Sequence, residues 1–223
     1  MPEDGHVENA RVMSVNLGRP EGGEWTGRVG RTAIRKRGTD HPVRVLRSGL
    51  VGDSVCDTKY HGSPDNAVYA FAREDLDRWG RELGSPLPDG QFGENLTTHG
   101  IDVNAALIGE QWRVGTALLE VTKVRTPCKV FAGFMAQTGH DAAGWIKRFT
   151  RDGRPGPYLR VLEEGVVQSG DPVVVEHRPD HDVSVAMVFR ALTTERELTA
   201  QVLGAQALAE SVREILVARA PRD

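Results

Sequence analysis

At 223 residues, with 28 basic and 31 acidic side chains and a formal charge of -3, the chain has room for one β-rich unit plus an appendage. Neither sign of charge is concentrated in a block that would suit a nucleic acid or a membrane surface, so a small-molecule partner is expected. No apolar run approaches the roughly 20 residues of a membrane-spanning helix, and residues 1–13 carry no basic segment followed by an apolar core, so the expected location is the cytoplasm, with Cys56 and Cys128 as reduced thiols.

In chain order, residues 10–17 alternate as a strand, residues 18–30 form a glycine-punctuated loop, and residues 32–36 and 43–46 are short strands. Residues 67–71 form an apolar run suited to a buried strand. Residues 73–83 follow with Leu76, Trp79 and Leu83 at helical spacing. Two strands around 112–114 and 117–124 meet at the Gly115-Thr116 turn as a hairpin. Helical segments are expected over 128–136 and 142–151, and strands over 158–162 and 172–176. Near Arg178-Pro179-Asp180 the period changes, and residues 183–192, 195–203 and 207–220 read as three short amphipathic helices. Thr194 and Glu197 suggest a capping box for the second of them. Residues 1–178 are thus expected to form the main domain and residues 179–223 a three-helix extension too small for a core of its own, packed on the barrel or on a partner.

The run Arg125-Thr126-Pro127-Cys128-Lys129 leaves a strand and enters a helix. Thr126 suits the cap and Pro127 the first helical turn, which puts Cys128 among free backbone N–H groups at the positive end of the helix dipole. Arg125 and Lys129 add cations, and all three influences favour the thiolate required for nucleophilic attack or metal ligation. The competing reading is a buried cysteine acting as a small hydrophobe. Cys56 sits among carboxylates and reads as structural. Lys59-Tyr60-His61-Gly62 and Phe92-Gly93-Glu94-Asn95-Leu96 place polar groups beside glycines that let a ligand approach, or are polar turns.

The Asn95-Leu96-Thr97 sequon reads as a chance match in a chain that is expected not to be exported. Metalloprotease, paired-cysteine, phosphate-loop, dinucleotide-binding and nucleophile-elbow signatures are absent. Zinc held by His61, His99 or His140 with Cys128 would follow no known ligand spacing.

Taken in order, Lys59-Tyr60-His61-Gly62, Asp65, Tyr69, the 92–96 run, the 125–129 run, Gly156-Pro157-Tyr158-Leu159-Arg160-Val161-Leu162, Gly165-Val166-Val167 and Gly170-Asp171 resemble a MOSC domain, the module related to the C-terminal part of molybdenum cofactor sulfurases. The C-terminal helices resemble the extension of the stand-alone bacterial branch that includes 6-N-hydroxylaminopurine reductases. The resemblance implies an α+β, mainly β fold: a MOSC-type β-barrel, pyridoxal-phosphate-binding-like in type, with peripheral helices and the three-helix appendage. It also implies a molybdenum cofactor (molybdopterin), with Cys128 supplying sulfur to the metal. Lys59, His61 and Arg125 would neutralise the cofactor phosphate, and Glu94 and Asn95 would bond the pterin edges. Gly62, Lys129 and Arg160 complete the binding set, with His61 and Tyr158 as proton donors.

The activity implied is reduction of N-hydroxylated substrates such as hydroxylaminopurines or amidoximes. With no ferredoxin-type cysteine set, electrons would come from a separate protein. The alternatives are a persulfide carrier that delivers sulfur from Cys128 to metal-sulfur centres, and a module that holds the cofactor without turnover.

Overall fold

The computed structural model describes residues 10–219. The first third of the chain is built of short strands. β1 (Arg11–Gly18) is followed by β2 (Glu21–Gly22), a 3-10 segment at Glu24–Val29, β3 (Arg31–Thr32), β4 (Lys36–Gly38), β5 (Val43–Leu46) and β6 (Gly49–Leu50). The expected strand over 32–36 is therefore interrupted at residues 33–35. The short helix α1 (Thr58–His61) leads to β7 (Val68–Ala72), α2 (Arg73–Leu83) and β8 (Leu96–His99). β7 is buried at every position, which accounts for its unbroken apolar run. It pairs with β8 in parallel, so the connection between them must cross over, and α2 makes that crossover. α2 spans the predicted residues, buries Leu76 and Trp79, and stops at Gly84 in the left-handed conformation.

β9 (Gln111–Val114) and β10 (Ala117–Val124) form the expected hairpin. Gly115 in its turn has a φ of 54° and lies so close to the Val166 carbonyl that a side chain could not be added. α3 (Lys129–Gln137) and α4 (Trp145–Asp152) come next. They are followed by β11 (Pro157–Glu163), β12 (Gly165–Val167) and β13 (Val173–His177).

Eight strands form one sheet in the order β13-β9-β10-β11-β7-β8-β1-β4, beside a three-stranded sheet β12-β5-β6 and a β2-β3 ribbon. The architecture is mixed α+β, but the expected β-barrel is not formed, nor does the pyridoxal-phosphate-binding-like description suit these open sheets. β1 meets the segment entering β13 through an isolated bridge at Arg11–Pro172. Backbone bonds flank it on both sides, from Val12 N to Asp171 O and from Val173 N to Ala10 O, so Pro172 needs no N–H of its own there.

The last helices are α5 (Val185–Thr193), α6 (Thr199–Leu203) and α7 (Glu210–Arg219), with a 3-10 turn at Arg196–Leu198 before α6. The Ser184 hydroxyl caps α5 by accepting from Met187 N. The capping box expected at Thr194 is not made: the turn begins at Glu195 without a side-chain cap. Ala220, the last residue of the third predicted helix, lies outside the described residues. These helices pack on the sheet. Phe189 meets Phe149 edge-on at 6.1 Å, Ala209 N donates to Thr122 O, and Val188, Val202, Val212 and Leu216 join the same apolar core as the strands.

Candidate functional site

The β10-β11 end of the sheet, the 3-10 segment Glu24–Val29, α3 and α7 enclose a cavity of about 960 Å3. Gly133 allows α3 to approach that segment, since a Cβ there would stand 2.7 Å from the Trp25 carbonyl. The walls carry Arg28, Arg31, Lys36, Lys59, Lys123, Arg125 and Lys129 against the carboxylates of Asp53 and Asp57, so the interior is strongly positive.

Cys128 lies on this wall and is exposed. It occupies the cap position of α3 with extended backbone, its carbonyl accepting from Ala132 N, while its side chain makes no capping bond. The expected cap at Thr126 is thus displaced by two residues. A residue before proline avoids the helical region, and Arg125 N still donates to Gly156 O, which prolongs the β10-β11 pairing past its formal end. The chain turns helical only after Pro127. Cys128 keeps its place at the helix N-terminus, and the alternative of a thiol sealed in apolar packing does not hold.

Arg125 is buried, 7% exposed, and donates from Nη1 to Tyr158 Oη at 3.0 Å. Its guanidinium lies 5.1 Å from the Phe131 ring and 5.5 Å from the Tyr69 ring. Its Nε has no partner, and it takes part in none of the ion pairs among the described residues. Burial works against the charge, but the Tyr158 phenol, the Cys128 thiol and the Tyr69 phenol outweigh it and hold Arg125 above its ordinary value. A buried cation without an acid is costly, which favours an anion in the cavity.

Of the other expected residues, Lys59, Asn95, Lys129 and Tyr158 line the cavity with Cys128 and Arg125. Asn95 is already committed: its Oδ1 accepts from Tyr69 N and its Nδ2 donates to Asp53 Oδ2. Gly62, Glu94 and Arg160 are not on the wall. Gly62 closes α1 by donating to Thr58 O. Glu94 is buried within its own loop and accepts from Gly90 N, Phe92 N and Thr97 Oγ1. Burial raises the Glu94 carboxyl to about 7, against the lowering effect of those hydrogen bonds. Arg160 pairs with Asp65 at 3.2 Å and Glu120 at 3.3 Å. His61 falls in α1, but its side chain lies outside the described residues. His99 faces Glu74 and His140 faces Ser85, and neither lines the cavity. Among the described residues no three His, Cys, Asp or Glu side chains form a metal-holding group.

Sequence reasoning missed several lining residues. Lys36 and Asp53 form a buried ion pair at 2.6 Å, with burial pulling the Lys36 ammonium down and Asp53 opposing it. Cys56, read as structural, shares the cavity wall, and burial pushes its thiol up. Lys123 and Ser211 meet across the cavity at 3.2 Å. These residues come from short strands and loops far apart in the chain; the spacing of Ser211 and Ile215, one helical turn apart on α7, was the one local signal.

A MOSC domain model matches residues 57–174. The Bacillus subtilis (strain 168) protein YflK is 33% identical over 209 residues, 92% of each chain. A Gibberella moniliformis protein named reductase is 31% identical over 186 residues, 81% of this chain and 32% of its own length. The crystal structure of YiiM from Geobacillus stearothermophilus superposes with a TM-score of 0.78 at 29% identity, covering 94% of this chain and 98% of its own.

Proposed function

The chain belongs to the MOSC domain family, and on that premise we propose that it is a molybdenum-cofactor-dependent reductase of N-hydroxylated compounds, with Cys128 as the metal's thiolate ligand. The observation that carries the reading is an exposed thiol beside a buried, unpaired arginine in a large basic cavity. A pterin bearing a phosphate is flat, rich in hydrogen-bonding edges and anionic, and these walls suit all three properties.

Cys128 would give one sulfur to the metal, which is a fitting donor for a redox-active transition ion. Arg125, Lys59 and Lys129 would hold the negative charge of the phosphate and the dithiolene. When bound, the cofactor supplies the redox change that accompanies N–O cleavage. Overall, two electrons and two protons turn N–OH into N–H and water, and the electrons come from a separate protein. Tyr158 Oη, oriented by Arg125, is the proton donor that faces the cavity. The name of the Gibberella relative agrees with redox chemistry.

A persulfide carrier would use the same thiol, but it has no need of some 960 Å3 of basic cavity behind it. Protein made in a cofactor-producing host should contain molybdenum and pterin and should reduce hydroxylaminopurine. The Cys128→Ser variant should lose both properties with its circular dichroism unchanged. Normal reduction by that variant would sink the proposal, and labile sulfur without stoichiometric metal would favour the carrier.

A further inference from the structure

One wall of the cavity is made where β10 meets α7, with Lys123 opposite Tyr158 in the β10-β11 register. Lys123 on β10 donates from Nζ to Asn66 Oδ1 and to Ser211 Oγ, each at 3.2 Å. It takes part in no ion pair among the described residues, and the acid whose charge acts on it, Asp65, is paired with Arg160. Burial pulls the Lys123 ammonium down, opposed by the charge of Asp65. Asn66 is 7% exposed and its Nδ2 is buried without a partner. With Oδ1 engaged by Lys123, Nδ2 is the part of the amide that lacks a partner. Ser211 Oγ accepts from Lys123, which leaves its own O–H to donate. One cation and two neutral donors therefore converge, while the oxygens of Asn66 and Ser211 are already engaged by Lys123. That donor set matches a carboxylate or phosphate and mismatches a cation or a hydrogen-bond donor.

Beside these donors the wall is apolar. Leu192, Val212 and Ile215 line it, and Ile215 remains 42% exposed. A ligand matching both features has an oxyanion at one end and an apolar body next to it.

We propose that Lys123, Asn66 and Ser211 form an oxyanion subsite, and that the substrate of this cavity carries a carboxylate or phosphate on an apolar ring or chain. The assignment to substrate rests on the reductase reading; the binding property itself does not.

The test is calorimetric titration of cofactor-free protein with benzoate, phenyl phosphate and the neutral isostere benzamide. Both anions should bind at least about tenfold more tightly than benzamide, a difference of about 1.4 kcal/mol. Lys123→Met should erase that preference while leaving benzamide binding unchanged. Ser211→Ala, a smaller change that spares the fold, should weaken the anions roughly threefold. The larger of the two anion affinities identifies which oxyanion the subsite prefers. Equal binding of benzoate and benzamide, or an equal loss of both in Lys123→Met, overturns the proposal. Repeating the titration on cofactor-loaded protein separates the sources of the anion. Retained benzoate binding supports a substrate group, and exclusion of benzoate assigns the subsite to the cofactor's own phosphate and overturns the substrate assignment. The reductase reading fails on metal content and turnover, which these titrations do not measure. Cys128→Ser should bind benzoate as the wild type does.

Discussion

Arg125 Nη1 reaches Tyr158 Oη across adjacent strands at 3.0 Å, while its Nε, also buried, has no partner at all. Nη1 is thus fixed by the protein, and Nε is left without an acceptor. Replacing Arg125 by Met keeps much of the contact with Phe131 and Tyr69 but removes the unpaired charge. Apo-protein stability in urea should stay within about 1 kcal/mol of wild type or rise, because an uncompensated buried charge is being deleted. Molybdenum content after expression in a cofactor-producing host should fall at least about tenfold, the loss expected for one charge-assisted contact of about 1.4 kcal/mol. A strongly destabilised variant with full metal content would contradict this account.

Glu94 gives a pH signature. Its carboxyl is raised by burial from 4.5 to about 7, so the folded protein prefers the protonated form. This contribution to stability is complete below the unfolded value and is lost as pH rises through about 7. The loss amounts to roughly 3 kcal/mol by the linkage relation. Urea denaturation at pH 5 and pH 8 should therefore show a steeper decline for wild type than for Glu94→Gln. The glutamine variant should be weaker at both values, since its amide nitrogen cannot accept from the loop N–H groups, but its pH slope should be flatter. Parallel slopes would show that Glu94 does not titrate in this range.

The Lys36–Asp53 pair is buried on the cavity wall, and Asp53 also accepts from Gly18 N and Asn95 Nδ2. Removing either charge alone strands the other, at an expected cost of about 3–5 kcal/mol. Lys36→Met combined with Asp53→Asn should recover part of that loss, which a double-mutant cycle in urea would measure as a coupling of at least about 1 kcal/mol. Additive losses would mean that the pair is energetically independent.

Gly133 can be tested through its neighbour. A methyl group at this position would press on the Trp25 carbonyl, so Gly133→Ala should displace the 3-10 segment from α3. The expected cost is about 1–3 kcal/mol, as for overpacking elsewhere. Trp25 and Phe134 have ring centroids 5.9 Å apart, so near-ultraviolet circular dichroism should change along with stability. An unchanged spectrum would place the two segments further apart than described.

Local pattern revealed the elements better than their arrangement. α2 was legible to the residue because Leu76 and Trp79 repeat at helical spacing and Gly84 ends the helix, both of which are local causes. The β9-β10 hairpin was legible from its Gly115 turn. Sheet closure was not, because it depends on how far β1 and the segment entering β13 pair beyond one bridge, residues separated by most of the chain. The site divides in the same way. Cys128, Arg125 and Lys129 are neighbours in sequence, and their strand-to-helix setting could be read directly. Lys36 and Asp53 could not, because burial and partnership, not composition, make them part of the wall. Arg160 belongs to a recognisable motif, yet the charges it answers are Asp65 and Glu120.

The cavity takes its walls from Trp25 near one end of the chain and from Ser211 and Ile215 near the other. During synthesis the cysteine leaves the ribosome well before the helix that supplies another wall, so the chamber has no finished form while translation is under way. A ligand that spans the chamber could accordingly be held only by completed molecules, and a chain cut short before α7 would keep its exposed thiol while lacking the wall that Ser211 and Ile215 supply.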